Sequence, residues 1–310
     1  MGVAFGSTRQ SAGGFAMTKR TIGRVCAVGA VVCGGLGGCA APLTDGDHHV
    51  VFHGAAVRFT LENAAPGTPS EPAIVFVHGW ASARWFWESQ MDGLRGERRL
   101  IAIDLPGHGE SEDVEAVHSF SLYADAIVAV LDDAGVARAV LVGHSNGVPT
   151  VRQFWRRHPA RTAALVAVDG PLREFPESNA GWERFVALLG EPAFAETASR
   201  VVDQITDGMP DAALRDEVRA AMLATPQRVM AGGIAANLGD GVWTRDGVGV
   251  PLLVINSDAS YWTAEYIDHV RGMGDDVEYE VIGGVSHFLM LDAPDQFNRL
   301  LLDWLERQGH

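Results

Sequence analysis

No cysteine follows residue 39 in this chain of 310 residues; Cys26, Cys33 and Cys39 are the only three. No zinc-type Cys/His spacing, no phosphate-binding glycine loop and no internal repeat occurs anywhere, which removes the common metal-finger, nucleotide and solenoid readings. Positive charge is scarce as well: 24 basic against 39 acidic residues give a net charge of −15. The acids are spread along the chain, and such a surface repels phosphate backbones, arguing against nucleic acid as a partner. What is abundant is apolar side chain, 47% of the total, enough for the core of one large α/β domain.

Acidic residues are missing altogether from the first 39 positions. From Met17, where translation could equally start, the segment has a basic opening, MTKRTIGR, and then VCAVGAVVCGGLGG, too short and glycine-rich for a membrane span. It closes in LGGCAAP, which resembles the bacterial lipobox. That resemblance implies cleavage before Cys39 and a lipid on its thiol, with the remainder held at a membrane outside the cytoplasm. An uncleaved anchor or a plain secretory signal is the alternative, and each also puts the body in the cell envelope or beyond. Residues 1–38 are thus expected to be a signal and 39–48 a link.

HVVFHGAAVRFTLEN then reads as a β-hairpin turning at His53-Gly54. Short, nearly continuous apolar runs follow: AIVFVH (73–78), RLIAID (99–104), AVLVG (139–143), ALVAVD (164–169), PLLVIN (251–256) and VEYEVI (277–282). Between them lie helical patterns at 85–94, 120–134, 148–158, 263–271 and 295–307. Strand–helix alternation of this kind predicts a mostly parallel central sheet with helices on both faces. Residues 171–250 break the rhythm with about 80 positions lacking a buried strand but containing GWERFVALLG and DAALRDEVRAAML. The expected division is a core of 49–170 and 247–310, with 171–246 inserted as a helical lid.

The chemistry concentrates where VLVGHSNGVPTV interrupts an apolar run. Gly143-His144-Ser145-Asn146-Gly147 fits G-x-S-x-G between a strand and a helix, where a tight turn presents the serine hydroxyl. With VFVHGWASARWFWE, IDLPGHGES and GVSHFLMLDAPDQF, this makes four motifs in order at strand ends, and together they resemble the α/β-hydrolase superfamily from His49 onward. A serine hydroxyl needs a base, and His287, on the loop after the last strand, is the candidate. His78 and His144 are expected to bond within their own loops; His118, with His48, His49, His53, His158, His269 and His310, reads as a surface or link position. For the oxyanion the resemblance implies the backbone amides of Asn146 and Trp80.

The acid is open between two positions. The usual place, after the strand beyond the lid, reads INSDAS, where Asp258 needs a small gap to serve. Asp169 ends the strand after the nucleophile's helix, the position used by a haloalkane-dehalogenase-like branch, and is the favoured choice. The dehalogenase likeness does not extend to activity, since those enzymes attack with an aspartate. Trp85, Phe86 and Trp87 read as core, whereas Trp80, with Trp182 and Phe185 of the lid, is expected to wall an apolar substrate pocket.

The reading that results is a serine hydrolase cleaving a carboxylic ester, thioester or lactone of small to medium size, with no metal or organic cofactor implied. A carbon–carbon hydrolase or perhydrolase of the same fold is the rival among enzymes. A non-catalytic small-molecule receptor, or an envelope structural lipoprotein, is the rival outside them.

Overall fold

The computed structural model describes residues 42–310 except 69–70, 175–177, 191–192 and 240, and the side chains of 178 and 179. Cys39 and the expected signal, with its alternative start at Met17, lie outside the described residues. Strand β1 (Gly46–Phe52) pairs antiparallel with β2 (Ala55–Glu62). His53 and Gly54 between them both have positive φ, 50° and 82°, the two-residue turn whose twist suits a hairpin. The ladder runs back to Gly46 opposite Leu61, and Thr60 Oγ1 donates to Asp47 at 2.7 Å. The core therefore begins three residues ahead of His49.

Six further strands complete one sheet: β3 (Ala73–Val77), β4 (Leu100–Ile103), β5 (Ala139–His144), β6 (Thr162–Val168), β7 (Leu252–Ser257) and β8 (Val277–Ile282), in the spatial order β1-β2-β4-β3-β5-β6-β7-β8. From β4 through β8 all neighbours are parallel; β2 joins β4 antiparallel. Every residue of β3 to β7 is buried, as continuous apolar runs require when both faces are covered. The edge strand β8 carries Glu278 and Glu280 and stays half-exposed.

Successive residues of a strand point to opposite faces, and the core divides accordingly. Val75, Leu141, Leu165 and Val254 pack with α2 (Phe120–Asp133), α3 (Gly147–Arg157) and α8 (Ala264–Arg271). Phe76, Val142, Val166 and Ile255 pack on the other side with α1 (Glu88–Gly93), a short helix α9 (Leu289–Asp292) and α10 (Pro294–Arg307). Helix starts follow capping chemistry: Ser119 accepts from Leu122 N, and Thr263 from Tyr266 N. Trp87 and Phe86 are fully buried in this second layer, as expected of core.

Between β6 and β7 the chain inserts α4 (Ser178–Gly190), α5 (Phe194–Thr206), α6 (Ala212–Leu223) and α7 (Gln227–Ala235). Helix α3 clamps both ends of this lid. The buried Arg152 donates to Leu172 O at its start and to Thr244 O and Asp246 Oδ1, at 2.8 and 2.5 Å, at its finish. Arg156 joins from the next turn, reaching Asp246 Oδ2 at 2.7 Å. The Gly232-Gly233 pair inside α7, unfavourable for helix formation, permits close approach: side chains there would meet His118 Cβ at 2.8 Å and Trp80 Cδ1 at 3.1 Å. His118 is thus buried rather than on the surface. Asp113 and Tyr123 hold its two ring nitrogens, each at 3.0 Å, which offsets the cost of burying them.

Candidate active site

Ser145 follows β5 with φ of +52°, a strained left-handed conformation for a residue with a side chain. Its amide donates to Val168 O at 2.9 Å, and its carbonyl accepts from Val148 N at the start of α3. The flanking glycines have a steric cause. A Cβ at Gly147 would lie 2.5 Å from Val77 O, and one at Gly143 would collide with the backbone of Gly147. Only bare backbone fits a bend this tight, and the bend leaves Ser145 half-buried at the wall of two adjoining cavities.

His287, after β8, lines both cavities with Ser145. Its Nδ1 donates to Asp169 Oδ2 at 2.7 Å, which fixes the tautomer and leaves the basic lone pair on Nε2. Among the described residues no hydrogen bond joins the ring to Ser145 Oγ. Of the two carboxylates, Asp169 is the one brought to the imidazole. Asp258 lies exposed and accepts from Gly284 N at 3.2 Å.

Asp169 follows β6, itself at positive φ (40°), and is only 1% exposed. Oδ1 accepts from Ser257 N at 2.7 Å, Ser257 Oγ at 2.8 Å and Trp262 Nε1 at 2.9 Å; Oδ2 accepts from Tyr261 OH at 3.1 Å besides His287. Burial alone would raise this carboxyl's pKa. The His287 bond and charge, with the Ser257 donors, outweigh it and hold the group below the usual carboxylate range. Sequence reading missed Ser257, Tyr261 and Trp262 as partners. The signal was available: two aromatics with polar tips directly behind a buried strand, in INSDASYW.

His144 supports the base from beneath. Its Nε2 donates to His287 O at 2.9 Å, and the two rings lie 4.6 Å apart. Burial, then the neighbouring His287, pushes its pKa down to about 3, so the ring is neutral. His78 Nδ1 donates to Gly79 O at 2.8 Å while Nε2 accepts from Leu105 N at 3.0 Å, tying the loop after β3 to the loop after β4. In that second loop Asp104 accepts from the amides of Arg84 and Glu110 and pairs with the Arg84 guanidinium, a turn-holding role.

The amides of Trp80 and Asn146 have no acceptor among the described residues. Their side chains instead reach the lid: Trp80 Nε1 donates to Met230 O at 2.7 Å, and Asn146 Nδ2 to Gly233 O at 3.1 Å, both in α7. Trp80 meets Phe185 edge-on at 5.7 Å, and Trp182 lies on the wall shared by the two cavities. Among the described residues, no cluster of His, Cys, Asp or Glu is arranged to hold a metal ion, and no helix is long and apolar enough to cross a membrane.

The model of the alpha/beta hydrolase family matches residues 74–300, which span every strand from β3 to β8, the elbow and the His287 loop. The chain belongs to the alpha/beta hydrolase family. It is 38% identical over 117 residues to the bifunctional esterase/perhydrolase DCH of Acinetobacter calcoaceticus, covering 36% of this chain and 42% of that relative. The chain thus matches less than half the length of that relative. A haloalkane dehalogenase of Sphingobium indicum is 27% identical over 266 residues, 76% of this hydrolase-family chain and 88% of the dehalogenase. The enol-lactonase from Burkholderia xenovorans LB400 shares the fold, with a TM-score of 0.72 at 19% identity over 84% of this chain and all of that one.

Proposed function

We propose that this member of the family is a serine hydrolase acting on carboxylic esters, with thioesters and lactones open to the same chemistry. The observation that carries the reading is the buried Asp169 on His287 Nδ1, in a ring that shares two cavity walls with a serine on a strained elbow. The residue at the elbow is a serine rather than an aspartate, so the reaction available is acyl transfer through Ser145. The hydroxyl–imidazole hydrogen bond forms with substrate in place, as catalytic contacts commonly tighten on binding.

In the first half-reaction Ser145 Oγ bonds to the carbonyl carbon as its proton passes to His287 Nε2. The amides of Trp80 and Asn146 receive the oxyanion. The carbon–oxygen bond to the alcohol then breaks, and His287 gives that alcohol the proton. Water repeats the sequence, returning hydrogen to Ser145 and hydroxyl to the acid. Asp169 stays ionised throughout and stabilises the transient imidazolium. The largely apolar walls around Trp80, Trp182 and Phe185 support small, apolar substrates, in keeping with the esterase, lactonase and dehalogenase names of its relatives. Perhydrolysis, in the name of the Acinetobacter relative, would release the same acyl-enzyme with hydrogen peroxide, and peracid formation is its assay.

The test is labelling by a fluorophosphonate together with cleavage of p-nitrophenyl acetate. Wild type is expected to take the label, and Ser145→Ala to lose it with a fall in kcat on the order of 10³-fold or more at unchanged circular dichroism. A receptor without catalysis would neither label nor turn over. We further propose that Cys39 carries a lipid anchor that holds the enzyme at a membrane in the cell envelope. Cys39→Ser should then move the protein from the membrane to the soluble fraction; unchanged sedimentation with membranes would refute the anchor.

A further inference from the structure

Ser145, Asn146, Trp182, Ile205 and His287 each line both cavities, so the serine stands at a waist between chambers of about 560 and about 250 Å³. The two chambers differ in chemistry. The smaller is the more enclosed, and much of its wall is apolar: Trp80, Met222, Ile234 and Phe288 there are all under 9% exposed. Each lid helix contributes to it, through Phe185, Val201, Met222 and Ile234. The larger has a wet rim, where Gln204, Asp207 and Tyr261 are exposed to solvent.

Resting on the ester-hydrolase reading above, we infer that the smaller chamber takes the acyl half of the substrate and the larger one the alcohol half. The argument follows from the order of events. The acyl group remains on Ser145 until water releases it in the last step, so its chamber can be the more enclosed of the two. The alcohol must take a proton from His287, depart, and be replaced by water at the same imidazole. Only a chamber open to solvent and bordering His287 can exchange an alcohol for water, and that is the larger one. The smaller chamber also sets the acyl size. At roughly 30 Å³ per non-hydrogen group it holds about eight, which corresponds to a straight acyl chain of about six to eight carbons or an aryl-acyl group of like bulk. Among the described residues no Lys or Arg lines either chamber, so nothing there pairs a second carboxylate, and the acyl half is a neutral hydrocarbon rather than a dicarboxylate half-ester.

Two substrate series test this. Across p-nitrophenyl esters from acetate to palmitate, kcat/KM should rise about fourfold per methylene while the chain fills the smaller chamber, then fall beyond it. Val201→Phe, on the smaller chamber, should lower the octanoate-to-acetate ratio of kcat/KM at least about tenfold, one ring being worth several buried methylenes. Ala259→Phe, on the larger chamber, should leave that acyl ratio in place and instead lower the octyl-to-methyl ratio among hexanoate esters. The allotment is overturned if Ala259→Phe moves the acyl ratio and Val201→Phe the alcohol ratio, or if wild type cleaves acetate through palmitate equally well. The wild-type profile decides even if a variant does not fold. An unlabelled wild type that cleaves no ester overturns the hydrolase reading itself, a result distinct from a labelled esterase with a flat acyl profile.

Discussion

At residue 169 a buried carboxylate accepts five hydrogen bonds, and that count explains why it stays charged where desolvation favours the neutral acid. Four come from the last residue of β7 and the turn that follows it, the turn that in the commoner family arrangement bears the acid. Here it supplies donors, and its own Asp258 faces outward to Gly284. Replacing Asp169 by Asn would set an NH₂ group against donors and remove the charge that stabilises the imidazolium. Asp169→Asn should therefore lower kcat on p-nitrophenyl acetate on the order of 10³- to 10⁴-fold, with Asp258→Asn within about twofold of wild type; near-full kcat in Asp169→Asn would exclude it as the triad acid. The sequence left these two aspartates open because each follows a buried strand, and both strand ends reach the same sheet edge. What separates them is contact across about 90 positions, from Asp169 to Ser257 and Trp262, which no local pattern encodes. The Gly-x-Ser-x-Gly bend was legible for the opposite reason, its steric cause lying within five residues.

Elements were legible to the degree that their burial is one-sided or complete. Strands β3 to β7 read directly as unbroken apolar runs, and α10 as a stripe at Phe297, Leu301, Trp304 and Leu305. The lid read only as helical pieces: α4 and α6 were in view, while α5 and α7 were not resolved as separate helices. In α7 the glycine pair lowers helix propensity, and its reason is tertiary, the approach of Trp80 and His118. The clamp at the lid's two ends was equally hidden, since Arg152 sits on an amphipathic helix and looks like any solvent-facing cation. In the fold its side chain is 3% exposed and bonds Leu172, Thr244 and Asp246 together. Arg152→Met strips those acceptors of their buried donor while keeping the bulk. We expect a loss of about 3 kcal/mol, less what Arg156 retains on Asp246, read as a lower urea midpoint. Faster proteolytic cleavage within 171–246 should accompany it; a variant as stable and as protease-resistant as wild type would show that the clamp does not hold the lid.

Across the whole molecule the same burial that organises the loops around the site makes the fold sensitive to acid. His78, His108 and His144 are enclosed beside the sheet edge, and burial, the largest cause for each, lowers their pKa values to about 4, 3 and 3. His118 shifts in the same direction. In the unfolded chain these imidazoles titrate near 6.5, so as pH falls below that value the unfolded state binds protons that the folded state refuses. Stability is therefore full above pH 6.5 and declines as pH drops toward 3–4, by about 1.4 kcal/mol per pH unit for each group once its unfolded form is protonated. Asp169, whose folded pKa is also depressed, adds a loss of the same sign below about pH 4. Urea denaturation at pH 8, 7, 6, 5 and 4.5 should show a level stability above 7 and a slope approaching about 4 kcal/mol per pH unit near 4.5 from the three rings. Removing one titrating ring with His108→Gln should reduce that slope by about a third, whatever its effect at pH 8. Equal slopes for wild type and variant would mean that the folded protein accepts a proton at residue 108, and that its buried imidazoles do not govern the acid limit.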